Sequence, residues 1–208
     1  MSQDPYCYPH SSVLRNKFHI QDEDDLKAAE ARVAAVALFA LQDEPLQGPM
    51  NEERLKKTHQ AIFGDIYDWA GSYRKDVGTM TKGRLAGYQV TYGNSQFVPA
   101  EIERIFRELA AENYLRGLNQ DRVAARLAYF YSELDSTHPF REGNSRTLRQ
   151  FAADLALAAG YELDWEPTGR TVDSRNALYI ARDQAFQLRK YDSLIRIIRE
   201  NLTPLQPY

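Results

Sequence analysis

Residues His138 to Arg149 read His-Pro-Phe-Arg-Glu-Gly-Asn-Ser-Arg-Thr-Leu-Arg, which gathers a titratable base, a carboxylate, a glycine and arginines into twelve positions. No other stretch of the chain has comparable chemical density. Taken as helix, loop, helix, the run gives each residue a use. Gly143 permits a backbone conformation closed to most residues. The N–H groups after it then point outward at the start of a helix, where free amides and the helix dipole both favour an anion. Asn144 adds a side-chain donor and acceptor at the same spot. Arg146 and Arg149 lie three apart, share a helix face and can grip adjacent phosphates through forked hydrogen bonds. Glu142 is a hard oxygen ligand suited to Mg²⁺ bridging phosphate oxygens. His138 titrates near neutrality and could accept a proton from an incoming hydroxyl. Together these parts describe nucleotidyl or phosphoryl transfer by in-line attack, driven by positioning and charge neutralisation. Each residue alone has a plainer explanation, such as a loop histidine, a solvated acid, a turn or an ion-paired arginine. Their joint spacing sets those explanations aside.

The rest of the chain must position this run. At 208 residues with 43% hydrophobic content it suits one mainly α domain with a real core. The net charge of −3 argues against a dedicated nucleic-acid binder. A single cysteine, Cys7, excludes an internal disulfide framework and fits a reducing cytoplasm; it is expected to pack and not to act as a nucleophile. There is no signal-peptide pattern and no apolar run approaching the ~20 residues of a bilayer span, so a soluble cytoplasmic protein without membrane contact is expected. Helical spacing begins near Asp22, with Leu26, Ala29, Val33, Val36 and Ala40 predicted on one face. Asn51 is the predicted cap of a second helix, with Leu55, Thr58 and Ile62 inward and Gly64 as its stop. Between Trp69 and Pro99 the helical periodicity disappears, and Tyr88, Val90 and Tyr92 alternate with Gln89 and Thr91, which predicts a hairpin flap over about 72–99. Helices resume with Ile102, Ile105, Phe106 and Leu109. Asn119 or Asp121 caps the next, bearing Val123, Leu127, Phe130 and Leu134 and running into His138. Leu148, Phe151, Leu155 and Ala159 follow, closed by Gly160. Ser174 and Asp192 are the predicted caps of two last helices. The division is therefore one domain over 1–202, with an N-terminal helical segment (1–50), a core (51–202) and a disordered tail over 203–208. His59 reads as structural, and His10 and His19 lack zinc-ligand spacing.

The run from His138 to Arg149 resembles the signature of Fic-domain proteins: His, any, Phe, any, Asp or Glu, Gly, Asn, Gly, Arg, any, any, Arg. Every specified position matches except one, where Ser145 stands in place of Gly. Asp4-Pro5-Tyr6 with Val13 to Lys17, and Phe63 to Gly71, resemble the entry segment and the helix-to-flap junction of small bacterial Fic toxins. The resemblance implies a helical Fic fold with a β-hairpin flap over the active site. It also implies protein adenylyltransfer, in which AMP passes from ATP to a hydroxyl of a target protein. By it His138 is the general base, Glu142 the Mg²⁺ ligand, and Gly143, Asn144 and Ser145 the α-phosphate site. Arg146 and Arg149 bind the outer phosphates, and Gln96, Phe97 and Val98 form the flap segment that clamps the target as an added strand.

Ser145 costs on the order of 1 kcal/mol if that position needs a positive φ, and little if its backbone is helical. In the family a Lys at this position marks a branch that transfers phosphate; Ser is far smaller, which favours AMP transfer over Doc-like phosphotransfer. A catalytically weak nucleotide-binding module is the remaining alternative. Fic enzymes are commonly restrained by a helix bearing Ser or Thr, three residues, Glu, then Gly or Asn. Glu200-Asn201 follows Arg196, Glu112-Asn113 follows Glu108, and Glu142-Gly143 follows His138, so the pattern is absent. The resemblance is therefore to the class held off by a separate small antitoxin. Its members most like this chain modify type II topoisomerases, which makes the B subunit of DNA gyrase or topoisomerase IV the expected target.

Overall fold

In the computed structural model, residues 4–83 and 89–205 are described. They form seven α-helices and two small antiparallel sheets. Helix α1 (Glu23–Asp43) starts where Asp22 accepts hydrogen bonds from the Asp24 and Asp25 amides and the acidic first turn meets the helix dipole. Helix α2 (Glu52–Phe63) is capped by Asn51 as expected, with Leu55, Thr58 and Ile62 fully buried. After the hairpin strands β1 (Met80–Gly83) and β2 (Gln89–Tyr92) come α3 (Val98–Ala111), α4 (Gln120–Thr137) and α5 (Asn144–Ala158). Then β3 (Tyr161–Leu163), α6 (Val172–Leu188), α7 (Asp192–Glu200) and β4 (Leu202–Pro204) complete the order.

Helix α4 is the axis. It packs against α3, α5, α6 and α7. Its Val123, Ala124, Leu127, Ala128 and Phe130 are essentially inaccessible, which removes a wide apolar stripe from water. A second, smaller apolar cluster joins the N-terminal segment to α1 and the end of α2 through Tyr6, Leu14, Leu26, Phe63 and Tyr67. Among the described residues no helix is long and apolar enough to cross a membrane.

Four expectations need correction. On α1, Val36 is 72% exposed and Ala40 is exposed, while Glu30, Ala34 and Leu41 are buried. Apolar residues surround the C-terminal half of α1, so spacing alone does not select a face. Helix α6 is capped by Thr171. Ser174 is the third residue of its capping box, bonding back to the cap. Residues Thr203 to Leu205 are ordered: β4 pairs with β3, and the Leu205 amide donates to the Gly160 carbonyl. Pro204 is tolerated there because a two-stranded sheet is all edge. Residues 206–208 lie outside the described set. Finally, the hairpin strands are 80–83 and 89–92, and Tyr88 lies outside the described residues. Ser95–Phe97 form a short 3₁₀ turn and Val98 opens α3, its side chain buried. Gln96, Phe97 and Val98 therefore offer no free strand edge: the Phe97 and Val98 amides are spent on the Asn94 and Ser95 carbonyls.

Candidate active site

Helix α4 ends at His138, whose backbone is left-handed (φ 48°) and whose amide donates to the Leu134 carbonyl. This reversal sends the chain into a six-residue loop that re-enters as α5. Gly143 stands at the helix entrance with φ 80°, and a Cβ there would lie 2.3 Å from a ring carbon of fully buried Phe63. Both backbone sign and space thus demand glycine. Among the described residues no side chain caps α5. Its first amides are the orphan donors of a helix N-terminus, with the dipole behind them.

The loop is held from beneath. Asn144 accepts from the Phe140 amide at 2.9 Å and donates to the Phe140 carbonyl at 2.8 Å, and it is 3% exposed. Both polar ends of the Asn144 side chain thus take part in closing the loop, and its backbone amide stands among the first donors of α5. His59 on α2 accepts the Gly71 amide at Nδ1 (2.8 Å), so Nε2 carries the proton and donates to the Glu142 carbonyl (3.0 Å). Burial pushes its pKa down to about 4, which keeps the ring neutral, and it stacks on Phe140 with centroids 3.9 Å apart. Its structural reading stands, with a sharper role: it supports the loop from 83 residues away in sequence.

Around the loop the expected site residues come together. Glu142 meets the Lys82 ammonium of β1 at 3.2 Å and accepts the Gly143 amide at 2.9 Å. Burial alone would raise this carboxyl's pKa, but Lys82, that amide and Arg146 outweigh it and hold it below the ordinary carboxylate range. The carboxylate is thereby kept ionised, the form that could ligate a cation. Among the described residues no cluster of three or more metal-ligating side chains exists, so a Mg²⁺ at Glu142 would take most of its ligands from phosphate and water, its common habit. Arg146 is tethered by Glu30 of α1, which also accepts from the Tyr67 hydroxyl, and its guanidinium lies 4.7 Å over the Phe63 ring. Arg149 and Arg146 line one groove of about 880 Å³ with Trp165, whose indole N–H donates to the Arg149 carbonyl.

Ser145 has an ordinary helical backbone, so the strained alternative falls away. Its hydroxyl accepts from Arg182 of α6 at 3.1 Å. That guanidinium is 5% exposed and also bonds Asp135 of α4 at 2.8 and 3.3 Å. Above the loop, Tyr92 of β2 stacks on the His138 ring at 3.9 Å and 16°. Glu30, Phe63, Lys82, Tyr92 and Arg182 were not visible as site residues in the sequence. Each is an ordinary residue in an ordinary helix or strand, and only the tertiary fold brings it to the loop.

The family model described as Fic/DOC family matches residues 49–156, just over half of the chain. The protein adenylyltransferase VbhT of Bartonella schoenbuchensis is 33% identical over 97% of this chain, which spans 40% of VbhT. The Escherichia coli protein named probable protein adenylyltransferase Fic is 30% identical, over 79% of this chain and 78% of its own length. Among solved structures, the N-terminal Fic domain of a VirB-translocated Bep effector from Bartonella quintana, with bound ADP, superposes with a TM-score of 0.83. It is 27% identical and covers 97% of this chain and 95% of that one. Signature and helical architecture with small antiparallel hairpins agree with these comparisons, and the chain belongs to the Fic/DOC family.

Proposed function

We propose that this chain is a protein adenylyltransferase. The observation that carries the reading is the uncapped N-terminus of α5, opened by a glycine that no other residue can replace and placed between His138 and the Arg146–Arg149 groove. In this reading the α-phosphate lies against the first amides of α5, and Arg146 and Arg149 hold the outer phosphates. His138 accepts the proton of a target hydroxyl as its oxygen bonds to the α-phosphorus. The bond from that phosphorus to the bridging oxygen breaks, and pyrophosphate leaves with the electron pair. Mg²⁺ held by Glu142 would neutralise phosphate charge. The outer edge of β1, which pairs with no strand other than β2 among the described residues, is the surface for the target segment, in place of Gln96 to Val98.

Within the same reading, the chain acts as the toxin of a toxin–antitoxin pair on a type II topoisomerase B subunit. Support comes from the family resemblance of the sequence and from the absence of an internal inhibitory pattern. Glu30 pairs with the first signature arginine, whereas among the described residues no carboxylate pairs with Arg149, leaving it open to an acidic residue from a separate antitoxin.

Incubation of a cell lysate with the protein, Mg²⁺ and ATP labelled on the α-phosphate should mark one species, with a mass increase of one AMP. His138→Ala should abolish the mark. Labelling from the γ-phosphate instead would assign phosphotransfer, and ATP binding with no labelled species would reduce the chain to a nucleotide-binding module.

A further inference from the structure

Arg74 stands out by its surroundings. It is 2% exposed, and its side-chain hydrogen-bond partners among the described residues are all main-chain carbonyls, with no carboxylate among them. Burial pulls its pKa below the ordinary arginine range, yet guanidinium groups remain charged in proteins. A buried cation without a counter-charge is costly unless its donors are satisfied. Here they are satisfied by main-chain carbonyls from two places. Nε donates to the His138 carbonyl at 2.7 Å. Nη2 donates to the Gly93 carbonyl at 2.6 Å, and Nη1 to the Gly78 carbonyl at 3.1 Å. Its own amide donates to the Pro139 carbonyl at 2.8 Å.

These partners are not arbitrary. Gly78 and Gly93 flank the hairpin on either side, and the Gly78 carbonyl also accepts the Ser95 amide, closing the hairpin's base. Gly93 follows Tyr92, the residue stacked on the His138 ring. His138 and Pro139 form the left-handed reversal after α4. One planar fork therefore holds the base of the hairpin, the aromatic cover of the imidazole, and the backbone that carries the imidazole. Lysine, with one rotatable point of attachment, cannot span the three carbonyls.

We propose that Arg74 is a positioning residue for the transfer reaction, clamping His138 and the hairpin into one unit so that base and target-docking strand reach the nucleotide in fixed register. This rests on the adenylyltransfer reading for its chemistry, but the clamp itself is independent of that reading. Arg74 bonds neither the α5 N-terminus nor the arginine groove, so nucleotide binding should not depend on it.

Two measurements test this. Hydrogen exchange of the wild-type protein in rising urea should show amides of 78–82, 90–95, 137, 138 and 140 opening as one cooperative unit. In Arg74→Lys they should exchange faster together, with α3 and α7 unchanged. If the hairpin base and the His138 loop open with different urea dependence, or if only one responds to Arg74→Lys, the clamp is refuted, whether or not the protein transfers AMP. Where the wild type labels a lysate species from α-labelled ATP, Arg74→Ala should lower turnover about 100-fold with ATP affinity changed by less than about twofold, and guanidinium at non-denaturing concentration should restore part of the rate. A fall in ATP affinity parallel to turnover, or no rescue in a folded variant, would show that Arg74 only supports the core. Absence of any labelling by the wild type would count against the adenylyltransfer reading, leaving the clamp to be decided by exchange.

Discussion

Replacing Ser145 by glycine, the residue most Fic signatures carry, should destabilise this protein. The Ser145 hydroxyl accepts a hydrogen bond from the Arg182 guanidinium at 3.1 Å, and Arg182 is 5% exposed, so its N–H loses its protein partner inside the fold. The Arg182–Asp135 pair survives, which prevents collapse of the site. A hydrogen bond to a charged group contributes about 1.5–3 kcal/mol, with the lower end applying if water enters. Glycine within a helix costs roughly 0.5–1 kcal/mol in backbone entropy, again at the lower end this close to the terminus. The sum is about 2–3 kcal/mol, and since each kcal/mol shifts the melting temperature of a chain this size by roughly 2–4 °C, a drop of roughly 4–12 °C is expected. Differential scanning calorimetry with urea titration gives both values. Ser145→Ala separates the terms, because it removes the hydroxyl and retains a helix-favouring backbone; it should retain most of the loss. A Ser145→Gly protein as stable as wild type would refute the reasoning, showing that Arg182 does not depend on the hydroxyl.

Three further outcomes follow from the geometry. Gly143→Ala forces a left-handed alanine against Phe63, at about 1–2 kcal/mol for the backbone and 1–3 kcal/mol for overpacking, and calorimetric ATP binding should be lost even where the variant folds. His59, with its pKa lowered to about 4, binds protons more readily in the unfolded chain. Stability should therefore be fully present above pH ~6.5 and decline as pH falls toward 4, by about 3 kcal/mol in total. In His59→Gln, urea midpoints should be flatter across that window; an unchanged slope would sink this assignment. Truncation after Asn201 removes buried Leu202 and strand β4. It should cost at least about 2 kcal/mol by urea denaturation, whereas a dispensable tail would cost nothing.

What the sequence disclosed followed from local physics. The start of α1 near Asp22, the Asn51 cap, the stripes of α2, α3 and α4, and the helix–loop–helix around Gly143 depend on residues a few positions apart, while the choice between Asn119 and Asp121 as cap of α4 took the fold to decide. What it concealed depends on distance along the chain. Arg74 reaches His138, Glu30 reaches Arg146 across 116 positions, and Arg182 reaches Ser145 across 37. Asn144 illustrates the limit from the other side: its side chain fits phosphate binding and loop closure equally well by residue type, and it is the fold that ties both of its ends to Phe140. The flap was legible as a loss of helical period, but glycines and short runs left its register open, so Gln96 to Val98 were read as strand where the chain forms a 3₁₀ turn and the start of α3. β4 escaped notice because two prolines in a terminal stretch suggest disorder, and three residues are too few to show alternation.

The left-handed turn at His138 restricts which amino acids can stand there at all. Of the side chains that take up protons near neutrality, imidazole belongs to one of the few non-glycine residue types that enter this backbone region with any frequency, together with aspartate and asparagine. Lysine or glutamate would have to overcome the conformation before contributing any chemistry. Asparagine consequently keeps the corner intact while deleting the proton acceptor, and it is a cleaner way than alanine to separate what position 138 does for the chain's path from what it does for the reaction.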